Sequence, residues 1–531
     1  MSKFVFLPPI LLVCIVGSIS LSAEPPLVDP HRTSPSGISN IGVKECAACH
    51  SSPSPLYEDD VPEKGILGVT RFVRLVEAKE WWERDKHSYA YQLVRQDLDP
   101  SELDKVERKS NKLSKEITSR LKWTPGDKNF ERKCLTCHTG MNPSEHASKL
   151  DVGFGVQCES CHGPGSEYTK LEHHQQVSWR EKTPEYKSEL GMWDLTSPST
   201  TTRVCLSCHL GNIKEERFVT HDMYAAGHPV LPPFDLQVFL NAMPPHWRTL
   251  QEKPTFENES DYLGVHFDIQ GNSDEIRSAI RGSYEKTKRS MIGGLVANDL
   301  GIKLIHQGAA EPKMWGDYSN YSCMGCHQEL KKNSSSFQRE SRIPGRPFPP
   351  NWLSLEYPSV HVSNRDSHES ITREFFASFN SVPFGDAQRI NQLRERQDQS
   401  LEERFQDRRK MEKQIMTKKD VLQWLEFLVQ SRKDSLSDFW VARQTSWMVC
   451  VAVEELVERG DLAPALVNEA KKELMDLMRL DLKIPQRESV LVSQSDILKT
   501  ANYFDSVKCR ELIAKLVQAA TNIPLHLGMH D

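Results

Sequence analysis

The chain has 531 residues, 38% of them hydrophobic and 26% charged, and carries a formal net charge of −6 at pH 7. The acidic balance argues against nucleic acid as a partner and in favour of basic or redox proteins. Beyond the N-terminus no apolar run approaches the length of a membrane span, so the mature protein is expected to be soluble.

Met1-Ser2-Lys3, an apolar run from Phe4 to Ile19 and small residues at Ser20, Ser22 and Ala23 have the form of a secretory signal peptide over residues 1–23. Pro8 and Pro9 break the run, which is short for a span; retention as an anchor is the alternative. Cys14 follows Val13, where lipidation expects a small residue, so it belongs to the discarded segment. Cleavage removes Lys3 and no acid, which takes the formal charge from −6 to −7. Residues 24–42, with Pro25, Pro26, Pro30, Pro35 and Gly37, read as a flexible leader.

Five copies of Cys-x-x-Cys-His follow: Cys46 to Cys49-His50, Cys134 to Cys137-His138, Cys158 to Cys161-His162, Cys205 to Cys208-His209 and Cys323 to Cys326-His327. Chance at this composition gives about 0.01 copies. Two cysteines three apart on a helical turn share a face, so both sulfurs reach the two vinyl groups of one porphyrin while the next imidazole reaches the iron. Zinc sites and redox dithiols also use Cys-x-x-Cys, but they do not require His after every copy. The motifs therefore predict five covalently bound c-type haems, anchored on the ten cysteines, with His50, His138, His162, His209 and His327 as proximal ligands. Attachment of such haems occurs outside the bacterial inner membrane, which agrees with export and points to the periplasm.

Between the motifs, residues 69–96 read helical, with Phe72, Val73, Val76, Trp81 and Trp82 as an apolar face, and 101–122 read as a charged amphipathic helix through Leu103, Val106, Leu113, Ile117 and Leu121. The second and third motifs start at Cys134 and Cys158, close enough to predict neighbouring haems. Bound haem replaces part of the side-chain core, which is how 38% hydrophobic content suffices. After the fifth motif, residues 331–352 are rich in Ser, Pro, Arg and Lys and read as a linker. Helical patterns follow at 384–417, 418–432, 436–459, 463–480 and 492–520; the charge-rich stretch 391–410 reads as a solvated helix face. The expected fold is mainly α with little sheet: a haem-packed domain over 43–330, then a helical C-terminal domain over 353–531 that packs on the haem part or docks a partner. Cys450 and Cys509 fall on apolar faces of two of its helices, either as buried free thiols or as a disulfide.

The sixth ligand of each iron decides between carrier and catalyst, because an iron with His on both sides has no position left for a substrate. Four histidines stand in settings suited to that role. His87 follows Trp81, Trp82 and Asp85; His221 and His228 bracket a small-residue segment ending at Gly227; His246 precedes Trp247. For the fifth iron, His146, His173, His174 and His306 compete with an open position.

These residues resemble the multihaem cytochrome c family related to cytochrome c-554, the cytochrome c-552/4 domain. The resemblance is carried by Trp-x-x-x-Asp85-x-His87, by Gly155-Val-Gln-Cys158-Glu-Ser-Cys161-His162-Gly163-Pro164-Gly165 and by Val204-Cys205 to His209. His221 to Pro229, Pro245-His246-Trp247 and Trp315-Gly-Asp-Tyr-Ser-Asn-Tyr-Ser-Cys323 to His327 look like its five-haem branch, and the whole likeness spans about residues 43–350. It implies a helical, haem-packed fold and periplasmic electron transfer between redox proteins of a respiratory chain. Where that branch often carries a His directly after the fifth motif, this chain has Gln328, and an iron relying on that His would be open or differently ligated.

The motifs point first to a multihaem electron carrier. The alternative is an oxidoreductase acting on a small nitrogen or sulfur compound at one open haem. No motif has Lys in place of His, as pentahaem nitrite reductases have, and there are not the eight haems of hydroxylamine oxidoreductase. A third possibility makes the C-terminal helices a docking module for a respiratory complex.

Overall fold

The computed structural model describes residues 37–51, 73–95, 105–124, 126–141, 151–176, 178–179, 182–249, 252, 263, 271–321, 323, 327, 365–379, 385–432, 436, 438–478, 500–501 and 503–523. The signal segment, the expected linker, His146, Cys326 and Gln328 lie outside them. Among the described residues the chain is mostly helical, as predicted, and its strand-like pairing is one isolated antiparallel bridge between Asn212 and Arg217.

The haem-motif part is built on short helices. Helix α1 (Val43–His50) carries the first motif and α2 (Glu77–Arg84) the two tryptophans. Helix α2 is shorter than the 69–96 prediction. Leu75 takes a φ of 56°, a left-handed conformation that cannot propagate a right-handed helix, and extended Asp85 ends the helix before a 3-10 turn over Lys86–Tyr89. Trp81 is buried, but Trp82 is 41% exposed instead of sharing the apolar face. Helix α3 (Lys105–Leu121) follows its prediction. Helix α4 (Pro198–His209) starts on Ser197, whose hydroxyl accepts from Thr200 N at 3.2 Å, has Pro198 in its first turn and ends on the fourth motif. Helices α5 (His221–Ala226) and α6 (Leu236–Ala242) complete this part.

Helix α7 (Ser273–Gly282) leads to α8 (Glu285–Ala310), a 26-residue helix buried on nearly every side that the sequence patterns did not reveal. Its buried surface mixes apolar residues with Lys288, Asn298 and Asp299, which find partners within the surrounding packing. At Gly293 a β-carbon would stand 2.8 Å from Leu236 Cβ, so glycine lets α6 lie directly on α8.

The C-terminal helices wrap α8. They are α9 (Arg365–Ser378), α10 (Ala387–Lys413), α11 (Lys418–Arg432), α12 (Phe439–Glu458), α13 (Asn468–Met478) and α14 (Ser506–Thr521). One apolar core joins Met291 and Leu295 of α8 to Trp424, Met448, Leu474 and Leu512; a second joins Ile302 and Ile305 to Phe375 and Leu393. Polar clamps fix the register. The Glu455 carboxylate accepts from Lys286 N at 3.0 Å and Thr287 N at 2.7 Å, capping α8 from another helix. Buried Asp299 pairs with Arg404 at 2.8 Å and with Arg408. Glu412 of α10 accepts from Ser197 Oγ at 2.9 Å and Ser199 N at 3.1 Å, tying the tail to the start of α4. The charge-rich stretch of α10 has the expected solvated face, while Leu393, Leu401 and Phe405 bury the other. Cys450 and Cys509 are free buried thiols, each pushed up to about 12 by burial. Among the described residues no helix is long and apolar enough to cross a membrane.

Candidate haem-binding site

Every cysteine and histidine of the first four motifs lines one continuous cavity of about 2480 Å³, together with His87, His174, His228 and His246. Local structure delivers each motif to its wall. The buried Glu159, inside the third motif, accepts from Ile41 N at 3.0 Å, Gly42 N at 2.8 Å and Gly165 N at 2.7 Å, so it ties the residues before α1 to the third motif. Ser166 N donates to Ser39 O at 3.0 Å, and the last residues of the leader are thereby held in place. Gly155, at φ 64°, places Val156 N 2.9 Å from His87 O; a side chain there would meet that carbonyl at 2.5 Å. A π-turn over Glu131–Leu135 presents Cys134, and the one-turn helix Thr136–His138 completes the second motif.

The distal candidates meet proximal histidines. Metal–imidazole bonds are about 2 Å and a ring centroid lies roughly 1 Å behind its bonding nitrogen, so two imidazoles on one iron have centroids about 6 Å apart. His87 and His209 lie 6.3 Å apart with planes at 85°, His162 and His246 6.3 Å apart at 72°, and His221 and His327 6.5 Å apart at 27°. His228 lies beside His138 in the cavity. The residues present therefore fit iron held between paired imidazoles. Helix α5 explains how two histidines seven apart serve different partners. Thr220 caps its start, Gly227 in the left-handed region ends it, and His221 and His228 leave from opposite ends.

The remaining motif histidine, His50, has His174 as its neighbour. The His174 ring sits edge-on to Tyr168 at 6.0 Å, and its Nδ1 is buried with no hydrogen-bond partner. His173 lies against Trp179 at 6.2 Å, and His306 packs on Phe375 at 5.6 Å, apart from the cavity lining. Among the described candidates, His174 is the one placed to face the first motif.

Electrostatics keeps three of these rings in ligating form. Burial pushes His162, His209 and His228 down to about 4, with His246, His87 and His138 respectively adding to the effect, so each is neutral near pH 7. Two histidines have carboxylate partners instead. His50 Nδ1 lies 3.0 Å from Glu77 Oε2, and His87 Nδ1 lies 2.9 Å from Asp85 Oδ1. Burial is the largest single influence and favours the neutral acids, but the imidazole hydrogen bond, backbone N–H donors and nearby histidine charge together hold Glu77 and Asp85 below the usual carboxylate range. Elsewhere the partner is a backbone carbonyl: Ala90 O for His138 at 2.7 Å, Pro229 O for His228 at 2.8 Å and Pro244 O for His246 at 3.4 Å.

The motifs also contact one another. The Cys46 and Cys158 sulfurs are neighbours, as are those of Cys137 and Cys208, and Cys161 lies near Cys205 and Cys208. Motif one thus adjoins three, three adjoins four, and four adjoins two; Gly140 beside Ser160 also brings two against three. Tyr224, 6.0 Å from the His228 ring and near Cys323, links the second motif to the fifth.

Sequence patterns had singled out the ten cysteines and nine of the candidate histidines. They passed over Glu77 and Glu159, whose roles come from partners far along the chain, and left His174 among several candidates. Residues 76–163 match the family model described as cytochrome c554 and c-prime. The match holds Asp85-x-His87 and the second and third motifs; it supports a cytochrome c family assignment and, with it, covalently bound c-type haem and haem-based electron transfer. No match was found among curated proteins or among solved structures.

Proposed function

We propose that this chain is an exported five-haem electron carrier in which every iron is gripped by two histidines. His50, His138, His162, His209 and His327 hold the proximal sides; His174, His228, His246, His87 and His221, in that order, hold the distal sides. The observation that carries this is the set of three ring pairs at 6.3, 6.3 and 6.5 Å. When bound, c-type haem supplies one-electron exchange between ferric and ferrous iron.

The chain's own residues do the rest. Paired imidazoles would hold each iron from two sides and leave small substrates no place on it, which favours carriage over turnover. The adjoining motifs form a path in the order one, three, four, two, five, with Tyr224 between the last two. The signal segment directs the protein to the periplasm, where its partners are redox proteins of a respiratory chain, drawn by the acidic surface.

The pyridine haemochrome assay on purified protein of known concentration, followed by nitrite and hydroxylamine turnover assays, tests this. The expected result is five haems per chain, reversible reduction and no steady turnover. Sustained turnover lost on changing a cavity residue would make the protein an enzyme and overturn the carrier.

A further inference from the structure

The carboxylates of Glu77 and Asp85 stand out because His138, His228 and His246 have a backbone carbonyl in the same place. Both project from one short stretch, Glu77 at the start of α2 and Asp85 just past its end, yet they reach ligands of two different haems. Both are largely shielded from solvent, with side chains 17% and 3% exposed. Each is fixed by a further contact: Arg74 N donates to Glu77 Oε1 at 2.5 Å, and His87 N donates to Asp85 Oδ1 at 3.0 Å. An ionised carboxylate only accepts, so His50 and His87 donate through Nδ1–H and bind iron through Nε2.

We propose that Glu77 and Asp85 are positioning residues that lower the reduction potentials of the haems on the first and fourth motifs below those on the second and third. This rests on the haem ligation proposed above. A carboxylate on Nδ1–H draws the proton toward itself and leaves the imidazole more anionic and a stronger donor, which stabilises ferric over ferrous iron. A backbone carbonyl, as at His138, His228 and His246, carries no net charge and does this more weakly. Electrons arriving from a protein donor therefore settle first near the second and third motifs, and a stronger reductant is needed to fill the first and fourth.

Glu77→Gln and Asp85→Asn in the full-length, haem-loaded protein test this. Each keeps the shape and an acceptor oxygen but removes the charge. Reduction potentials are followed by spectroelectrochemistry and by EPR-monitored redox titration, with Asp151→Asn, an exposed acid paired to Lys44, as the charge control. Each variant is expected to move one haem's fraction of the titration upward, a different one in each case, while the control moves none. Unchanged midpoints, or one uniform shift shared with the control, would overturn the proposal while leaving the ligation intact. If either variant loses haem, Glu77→Asp and Asp85→Glu take its place: they keep the charge but misplace the contact, with a smaller upward shift expected and no shift overturning. A wild-type haem count short of the first or fourth motif would instead defeat the ligation reading itself.

Discussion

His174, half-buried, and His306, buried, each carry a buried ring nitrogen with no hydrogen-bond partner, and their surroundings separate them. His174 lies in the cavity beside His50, while His306, 4% exposed and pushed down to about 4 by burial, packs on Phe375 in the core formed by α8 and the C-terminal helices. The first is placed to ligate and the second to pack. His174→Leu is expected to convert about one iron per chain to high spin and to let the ferrous protein take up carbon monoxide at one site. His306→Leu leaves the spin state unchanged, and carbon monoxide uptake equal in the two variants would contradict the distinction. The attachment residues were legible because their chemistry needs five contiguous positions. Candidate distal ligands were legible only where local sequence marked them, as at Asp85-x-His87; the candidacy of His174 comes from a neighbour 124 positions away, which no local pattern records.

Helices α10, α11 and α14 were foreseen because one face of each is apolar and the other polar, and α12, buried on almost every side, because its run from Phe439 to Val453 is densely apolar. Helix α8 was not, since burial on all sides leaves no such alternation. Its polar anchor is the buried pairing of Asp299 with Arg404 and Arg408. Asp299→Asn leaves two guanidinium groups buried without their counter-charge, and the expected loss is about 3–5 kcal/mol of stability, read from the urea midpoint by far-UV circular dichroism. A change below about 1 kcal/mol would mean that solvent reaches the pair. Helix α2 is the reverse lesson: its apolar residues promised a longer helix, and the left-handed backbone at Leu75 stopped it.

At the scale of the molecule, the tail and the haem-motif part share a core. Met291 and Leu295 pack with Trp424, Met448 and Leu512, Glu455 caps α8, and Glu412 holds the start of the helix that ends in the fourth motif. The C-terminal helices thus support the wall on which His209 stands, whatever partner they meet outside. The mainly α class was legible from the sequence, and so was the succession of motifs; how the tail closes over α8 was not, because it depends on contacts more than a hundred residues apart. The measurement that bears most directly on the central claim, five irons each held by two histidines, is low-temperature EPR of the oxidised protein. The expected spectrum is entirely low-spin, with strongly anisotropic signals from the near-perpendicular pairs His87/His209 and His162/His246 and a rhombic signal from His221/His327, whose planes differ by 27°. A high-spin signal amounting to about one iron per chain would contradict it.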